Sequence, residues 1–279
     1  MVKKSYFLFS LVLWMHYSAS FAAVTVENVA SAIASDAPVK WEDLAEKSEK
    51  EIQEILSKHS TPAHIIIPDT ILKERDTPSW KAVEELFHYH PDSVAIVDIK
   101  KDQWVKEGVL NLATKDIPAT IQHLQLINTD GTITAIGDSF LEQAETLQSL
   151  SFHNFVNVTT VGKYFLGECS NLRTVDLSSL RNVTTVEDVF LGGCSNLTEI
   201  DLTPFTNVKT VGDYFLCGCS NLEMVNLSPL RNVTTVGDYF LLKCSNLTVI
   251  DLTPLTNVTT IGNNFLAECS NLKTVDLPP

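Results

Sequence analysis

Apolar residues recur at a fixed step of 25 residues through the second half of the chain, and the polar residues between them keep the same step. Phenylalanine holds one of these positions and cysteine holds another. The phenylalanines are Phe140, Phe165, Phe190, Phe215, Phe240 and Phe265, and the cysteines are Cys169, Cys194, Cys219, Cys244 and Cys269. A period of this length predicts a solenoid in which residues 25 apart form stacked columns.

Each repeating unit contains two short segments with the alternation of a β-strand. Leu172, Val175 and Leu177 alternate with polar residues at period 2, and Val158 with Val161 marks the second segment. One unit alone buries too little apolar surface to offset the entropy of ordering its backbone, so the units must stack. We therefore predict a stack of strand-bearing coils over residues 121–279.

Residues 23–120 lack this period and mix predicted helices with predicted strands. The apolar patterns favour helices over 41–58, 79–89 and 104–113, and strands over 64–67 and 93–99. We expect this helical or α/β segment to cap the first coil, because the end of a solenoid needs a non-repeating cover. A separate functional domain is the alternative.

Residues 1–22 have the pattern of a secretory signal peptide. Lys3 and Lys4 precede an apolar run over 6–15, and small residues lead up to a cleavage position after about Ala22. The apolar run is too short to span a bilayer, so we expect no transmembrane segment in the mature chain. The expected location is secreted, periplasmic or at the cell surface.

The charge balance narrows the class of partner. The chain has 34 Asp and Glu against 20 Lys and Arg, a formal net charge of −14. Such a chain repels a phosphate backbone, which argues against a nucleic-acid partner, and it favours basic partners. No catalytic motif or zinc-type spacing occurs, and His88-Tyr-His90 resembles a metal-binding pair only loosely. We predict a non-enzymatic protein without cofactor or metal.

The six cysteines admit two interpretations. An exported chain favours disulfides, yet five of the six lie in one apolar column whose first position is Ala144. This favours buried free thiols, although neighbouring coils bring equivalent residues close enough for a bridge. Cys217 lies off the column and is expected to be the most accessible and reactive thiol.

The motif within each unit is similar to that of a known family. The segment Phe165-Leu-Gly-Glu-Cys169-Ser-Asn-Leu172-Arg-Thr-Val175 resembles the signature of BspA-like leucine-rich repeats, and the resemblance holds in five consecutive units across about 121–279. It implies the α/β class and a right-handed leucine-rich-repeat β-solenoid. It also implies an exported or surface protein that binds other macromolecules.

The outward residues of the leucine-bearing strands form the predicted binding surface, because they vary between coils while the inward residues repeat. They are Arg173, Asp176, Thr198, Glu199, Asp201, Glu223, Met224, Asn226, Thr248, Val249, Asp251, Lys273 and Asp276. The acidic column among them is expected to have raised pKa values through mutual repulsion, unless a cation or basic ligand intervenes. The alternative is that this column only keeps the surface soluble.

These patterns predict an exported, non-enzymatic protein that binds a protein or glycan, with basic partners favoured, through its outward strand face. Two alternatives remain open. The first is a structural role, in which the solenoid associates end to end or within a surface layer through its last coil. The second is an enzyme whose site lies in residues 24–120.

Overall fold

The computed structural model describes residues 39–44, 49–56, 63–67, 69–72, 75, 77–99 and 104–278. The predicted signal peptide lies outside these ranges. Within them, none of the helices combines the length and the apolar content that crossing a bilayer requires.

Six parallel strands form the first sheet, which runs through both the non-repeating segment and the first repeats. They are β1 (Val39–Lys40), β2 (His64–Ile67), β3 (Val94–Asp98), β6 (His123–Ile127), β8 (Ser149–His153) and β10 (Thr174–Asp176). A single row of paired, buried residues crosses all six strands: Val39, Ile65, Ala95, Leu124, Leu150 and Val175. The predicted boundary at residue 120 therefore falls within one continuous sheet.

Eight short strands form the second sheet. They are β4 (Val105–Lys106), β5 (Val109–Leu110), β7 (Ala135–Ile136), β9 (Thr160–Val161), β11 (Thr185–Val186), β12 (Thr210–Val211), β13 (Thr235–Val236) and β15 (Thr260–Ile261). From β9 onward, residues 25 positions apart pair directly, as Thr160 does with Thr185. The predicted stack is confirmed, and its right-handed winding stays a prediction.

A third sheet continues the leucine-bearing segments near the end of the described chain. It consists of β14 (Val249–Asp251) and β16 (Thr274–Asp276), which pair in parallel. The equivalent segments of the two preceding coils form no assigned strand, and 3-10 turns follow them at Thr203–Phe205 and Ser228–Leu230. The leucine side of the solenoid is therefore least regular in its middle.

The described helices are confined to the non-repeating segment: α1 (Glu49–Leu56), α2 (Asp69–Leu72) and α3 (Pro78–Tyr89). The start of α3 is set by Thr77, whose hydroxyl accepts the Trp80 amide at 3.2 Å, and by Pro78 in the first turn. The helix predicted over 104–113 is wrong, because that segment contains the antiparallel pair β4 and β5.

The phenylalanine column fills the core where each coil turns after the second sheet. Its neighbouring rings stack with centroids 5.1–5.4 Å apart and planes within 5–11° of parallel. The leucine that follows each phenylalanine has a left-handed backbone, as Leu166 does with φ 53°, and it is fully buried in the inner coils. Burial between two coils offsets the cost of this conformation.

Side chains also satisfy the backbone between coils. Each column cysteine directs its Sγ to the carbonyl oxygen of the leucine 28 positions earlier, at 3.1–3.2 Å. Asn157, Asn182, Asn207, Asn232 and Asn257 donate from Nδ2 to a carbonyl of the preceding coil in the same way. All six cysteines are free, so the buried-thiol interpretation agrees with the structure.

Close approach between coils explains the recurring glycine. A Cβ on Gly212 would lie 2.7 Å from both the carbonyl carbon of Glu187 and the amide nitrogen of Asp188. Its φ is not positive, so space between coils, rather than a left-handed turn, favours glycine here, and Glu187 shows that the column also accepts a side chain. The last described coil is less covered, since Ile261 is 58% exposed where Val236 is 2% exposed.

Candidate functional site

The predicted binding residues lie together on the outward side of the leucine-bearing segments, and we call these thirteen residues the strand face. All of them are exposed except Asp176, which is half-buried. Their inward neighbours Val175, Ile200, Val225 and Ile250 are buried, so the period-2 alternation holds in each of these coils. In these four coils the predicted binding residues are therefore placed over buried side chains.

The strand face changes in character along the stack. Arg173 lies at one end and Lys273 at the other. The middle coils carry Glu199 and Glu223 beside two exposed apolar side chains, Met224 and Val249, which are 68% and 49% exposed. An exposed apolar centre with charged residues around it is the usual composition of a protein interface.

The acidic column has a structural role that the sequence pattern did not indicate. The Oδ1 atoms of Asp176, Asp201, Asn226 and Asp251 each accept the backbone amide two residues ahead, at 2.8–3.0 Å. This is an Asx turn, which ends the strand and starts the crossing to the second sheet. Asparagine performs it as well as aspartate, which accounts for Asn226.

The expectation of raised pKa values in this column is wrong at Asp251. The Thr253 hydroxyl and then the Thr253 amide donate to its carboxylate and lower its pKa below the ordinary value. Stabilisation of the charged form by hydrogen bonds outweighs repulsion at this exposed position. No cation is needed to keep this carboxylate charged.

The strand face extends onto earlier strands through residues that the sequence did not lead us to include. His123 is paired in register with Ser149, and Ser149 with Thr174; the His123 Nδ1 lies 2.8 Å from the Ser149 Oγ. Burial lowers the pKa of His123, Asp92 opposes this, and Arg173 adds to it. The leucine spacing from Ile121 onward would have placed these side chains outward.

His153 continues this group on β8. Burial lowers its pKa below the ordinary value, and nearby Asp176 opposes the shift. Both histidines are therefore favoured in their neutral forms near pH 7, where they offer hydrogen bonds rather than charge. The charged residues that act on these two histidines are Asp92, Arg173 and Asp176.

Across the described ranges, no group of three or more histidine, cysteine, aspartate or glutamate side chains is arranged to hold a metal ion. In the loosely metal-like His88-Tyr-His90, the ring of His88 packs edge-on against Tyr89 with centroids 5.3 Å apart.

Comparison with known proteins identifies the repeat. The model of the BspA type leucine rich repeat region matches in six copies over residues 119–205 and 180–279. No curated protein matches the chain.

Two solved structures are similar to this chain. A leucine rich repeat protein from T. pallidum is 15% identical with a TM-score of 0.45, over 67% of this chain and 75% of that one. A leucine rich cell surface protein from Faecalibacterium prausnitzii A2-165 is 21% identical with a TM-score of 0.43, over 64% of this chain and 42% of that one. This chain thus spans less than half of the second protein's length. At these values neither similarity bears on function.

Proposed function

Because the chain belongs to the BspA-type leucine-rich-repeat family, we propose that it is an exported, non-enzymatic protein whose strand face binds a macromolecular partner. The supporting observation is that the columns which repeat build the scaffold, while other, exposed columns vary. The repeating apolar side chains are buried and the repeating asparagines form inter-coil hydrogen bonds, while the exposed positions 173, 198, 223, 248 and 273 change from coil to coil. A rigid scaffold with variable outward residues is what repeat proteins use for binding.

A protein is favoured over a glycan as the partner of this face. None of the thirteen residues is aromatic, whereas methionine, arginine and exposed valine are present. Methionine and arginine are enriched at protein interfaces, and the charges of both signs suit a partner with a mixed surface. Export rests on the pattern of residues 1–22, and an Ala23 N-terminus on the secreted protein, read by mass spectrometry, would support it.

A double substitution at the apolar centre tests the strand face. We expect Met224→Glu combined with Val249→Glu to weaken binding by about tenfold or more, because both residues would be buried at the centre of the contact. The full chain is screened against arrayed envelope and host-surface proteins and glycans, and the affinity of each protein found is measured by biolayer interferometry for the wild type and the variant.

Lys209→Glu combined with Thr210→Glu serves as the control, because these exposed residues lie at the second sheet. The control should retain the affinity of the wild type. Equal losses in both variants would contradict a role of the strand face. A screen without partners, together with a sedimentation coefficient that rises with concentration, would favour end-to-end association instead.

A further inference from the structure

One exposed column at the second sheet combines aromatic residues with a costly backbone conformation. Three residues after the end of each of the strands β7, β9, β11, β12, β13 and β15, the backbone adopts φ values of 53–62°. The residues with this conformation are Ser139, Tyr164, Val189, Tyr214, Tyr239 and Asn264. Small polar residues tolerate a left-handed backbone best, and bulky ones are strained in it.

The tyrosines stay partly exposed in this conformation. Tyr164 is 44% exposed and Tyr214 is 38% exposed. The rings of Tyr214 and Tyr239 stack with centroids 4.4 Å apart and planes at 11°. Tyr164 is separated from them by Val189 and stacks on no ring of the described chain. Val189 has the same conformation, so the conformation belongs to the repeat, and the partly exposed rings are the feature that is available to a partner.

Carboxylates lie beside the rings, because an aspartate directly precedes four of the six residues with the left-handed conformation. Asp188, Asp213 and Asp238 follow one another in consecutive coils, and the Oδ1 of each accepts the amide of the next coil at 2.6–3.1 Å. Lys163 pairs with Asp188 at 2.8 Å, at one end of this row. Within the described residues, the second oxygen of Asp213 has no hydrogen-bond partner.

We propose that Tyr164, Tyr214 and Tyr239, together with Asp188, Asp213 and Asp238, form a second binding surface, the tyrosine ridge, which takes an arginine-rich segment of a partner protein. Guanidinium groups pair with carboxylates through two hydrogen bonds and also pack against aromatic rings. The ridge places a carboxylate next to a ring at Asp213-Tyr214 and at Asp238-Tyr239. It lies beside the second sheet and is distinct from the strand face.

Arginine fits the ridge better than the other ligands that aromatic surfaces bind. The carboxylates favour a cation over a neutral sugar. Lysine satisfies the charge, but its compact ammonium group lacks the planar fork and the surface that packs on a ring.

The ring contribution is tested with the full chain and fluorescein-labelled nona-arginine, followed by fluorescence anisotropy. We expect Tyr214→Asn combined with Tyr239→Asn to weaken binding by about tenfold. Asparagine already occupies this column at Asn264 with φ 55°, so the substitutions suit the backbone. Unchanged circular dichroism would show that the fold is retained. Nona-lysine should bind more weakly than nona-arginine and respond less to these substitutions.

The charge contribution has a matched control on the other surface. Asp213→Asn combined with Asp238→Asn keeps the acceptor oxygen, as Asn263 stands in the same column, and should weaken nona-arginine binding and its salt dependence. Asp201→Asn combined with Asp251→Asn makes the same charge change on the strand face, where Asn226 is native, and should leave binding unchanged.

Three outcomes would overturn the proposal. Equal weakening by both charge variants would mean that only the net charge attracts the peptide. Binding that is unchanged by the tyrosine substitutions would remove the rings from the site. The ridge would be a glycan site if nona-arginine did not bind and if maltoheptaose or laminarihexaose bound in a way that the tyrosine substitutions abolish.

Discussion

Alanine in place of Phe190 is expected to lower the free energy of unfolding by about 3–5 kcal/mol. The Phe190 ring is fully buried and stacks between Phe165 and Phe215, each with its centroid 5.2 Å away, while Phe205 meets its edge at 5.6 Å. The cavity would therefore remove contacts from both neighbouring coils as well as from its own. Urea unfolding followed by circular dichroism measures the loss.

The same substitution in the last described coil is the matched control. Phe265 is half-buried, and among the described residues it stacks on the ring of Phe240 alone, at 5.1 Å. If the stability of the stack is a sum over neighbouring coils, Phe265→Ala should cost about half as much or less. Equal losses at the two positions would show that each coil is stabilised mainly by its own burial, contrary to this interpretation.

The repeating scaffold was predictable because a fixed period carries its own register. Once residues 25 apart stack, the pairing of Val161 with Val186 and of Val186 with Val211 follows, as does the burial of the phenylalanine column. No knowledge of distant contacts is needed, since each coil touches only its neighbours. The same reasoning placed the strand face outward.

The non-repeating segment gave no such constraint, and the helix predicted over 104–113 shows why. Glu107 and Gly108 have φ values of 53° and 79°, and they join β4 to β5 as a two-residue turn. Both central residues of a type I′ turn have positive φ, and glutamate is an unusual choice for the first of them. The apolar spacing around this turn resembles that of a helix over so short a range.

The roles of the outward side chains could not be predicted from the sequence either. Aspartate in the strand face has the same pattern whether it awaits a ligand or closes a turn, and only the bond from the Thr253 amide to Asp251 distinguishes the two. The tyrosine ridge was not predicted from the sequence for a related reason. Neither tyrosine nor valine signals a left-handed backbone, and the small residues that do, Ser139 and Asn264, stand only at its ends.

The buried cysteines are expected to make the stability of the folded stack depend on pH. Cys169, Cys194, Cys219 and Cys244 are fully buried, and burial raises the pKa of each thiol. For Cys169 and Cys244 the pKa rises from 9.0 to about 12. The off-column Cys217 is half-buried and burial raises its pKa as well, so it is more accessible than these four but less reactive than a fully exposed thiol.

We expect the protein to lose stability steeply between pH 9 and pH 12. These thiols have a higher pKa in the folded state than in the unfolded state, so in alkali they ionise more readily once the chain unfolds. Their contribution to the free energy of unfolding is therefore complete below pH 9 and is lost as the pH rises toward 12. With about 1.4 kcal/mol for each pKa unit, Cys169 and Cys244 together account for about 5 kcal/mol between pH 8 and pH 11. This approaches the whole stability of many domains. Urea midpoints at the two pH values measure the difference.

Cys169→Ala combined with Cys244→Ala isolates the thiols from the other groups that titrate in alkali. Tyrosines and lysines are the same in both proteins, so their effect cancels in the comparison, and Ala144 shows that alanine fits the column. The variant should be less stable than the wild type at pH 8, because the carbonyls of Leu141 and Leu216 lose their Sγ contacts. It should nevertheless lose much less stability on going to pH 11. Parallel pH profiles would mean that these thiolates are accommodated in the folded stack, which is incompatible with their burial between coils.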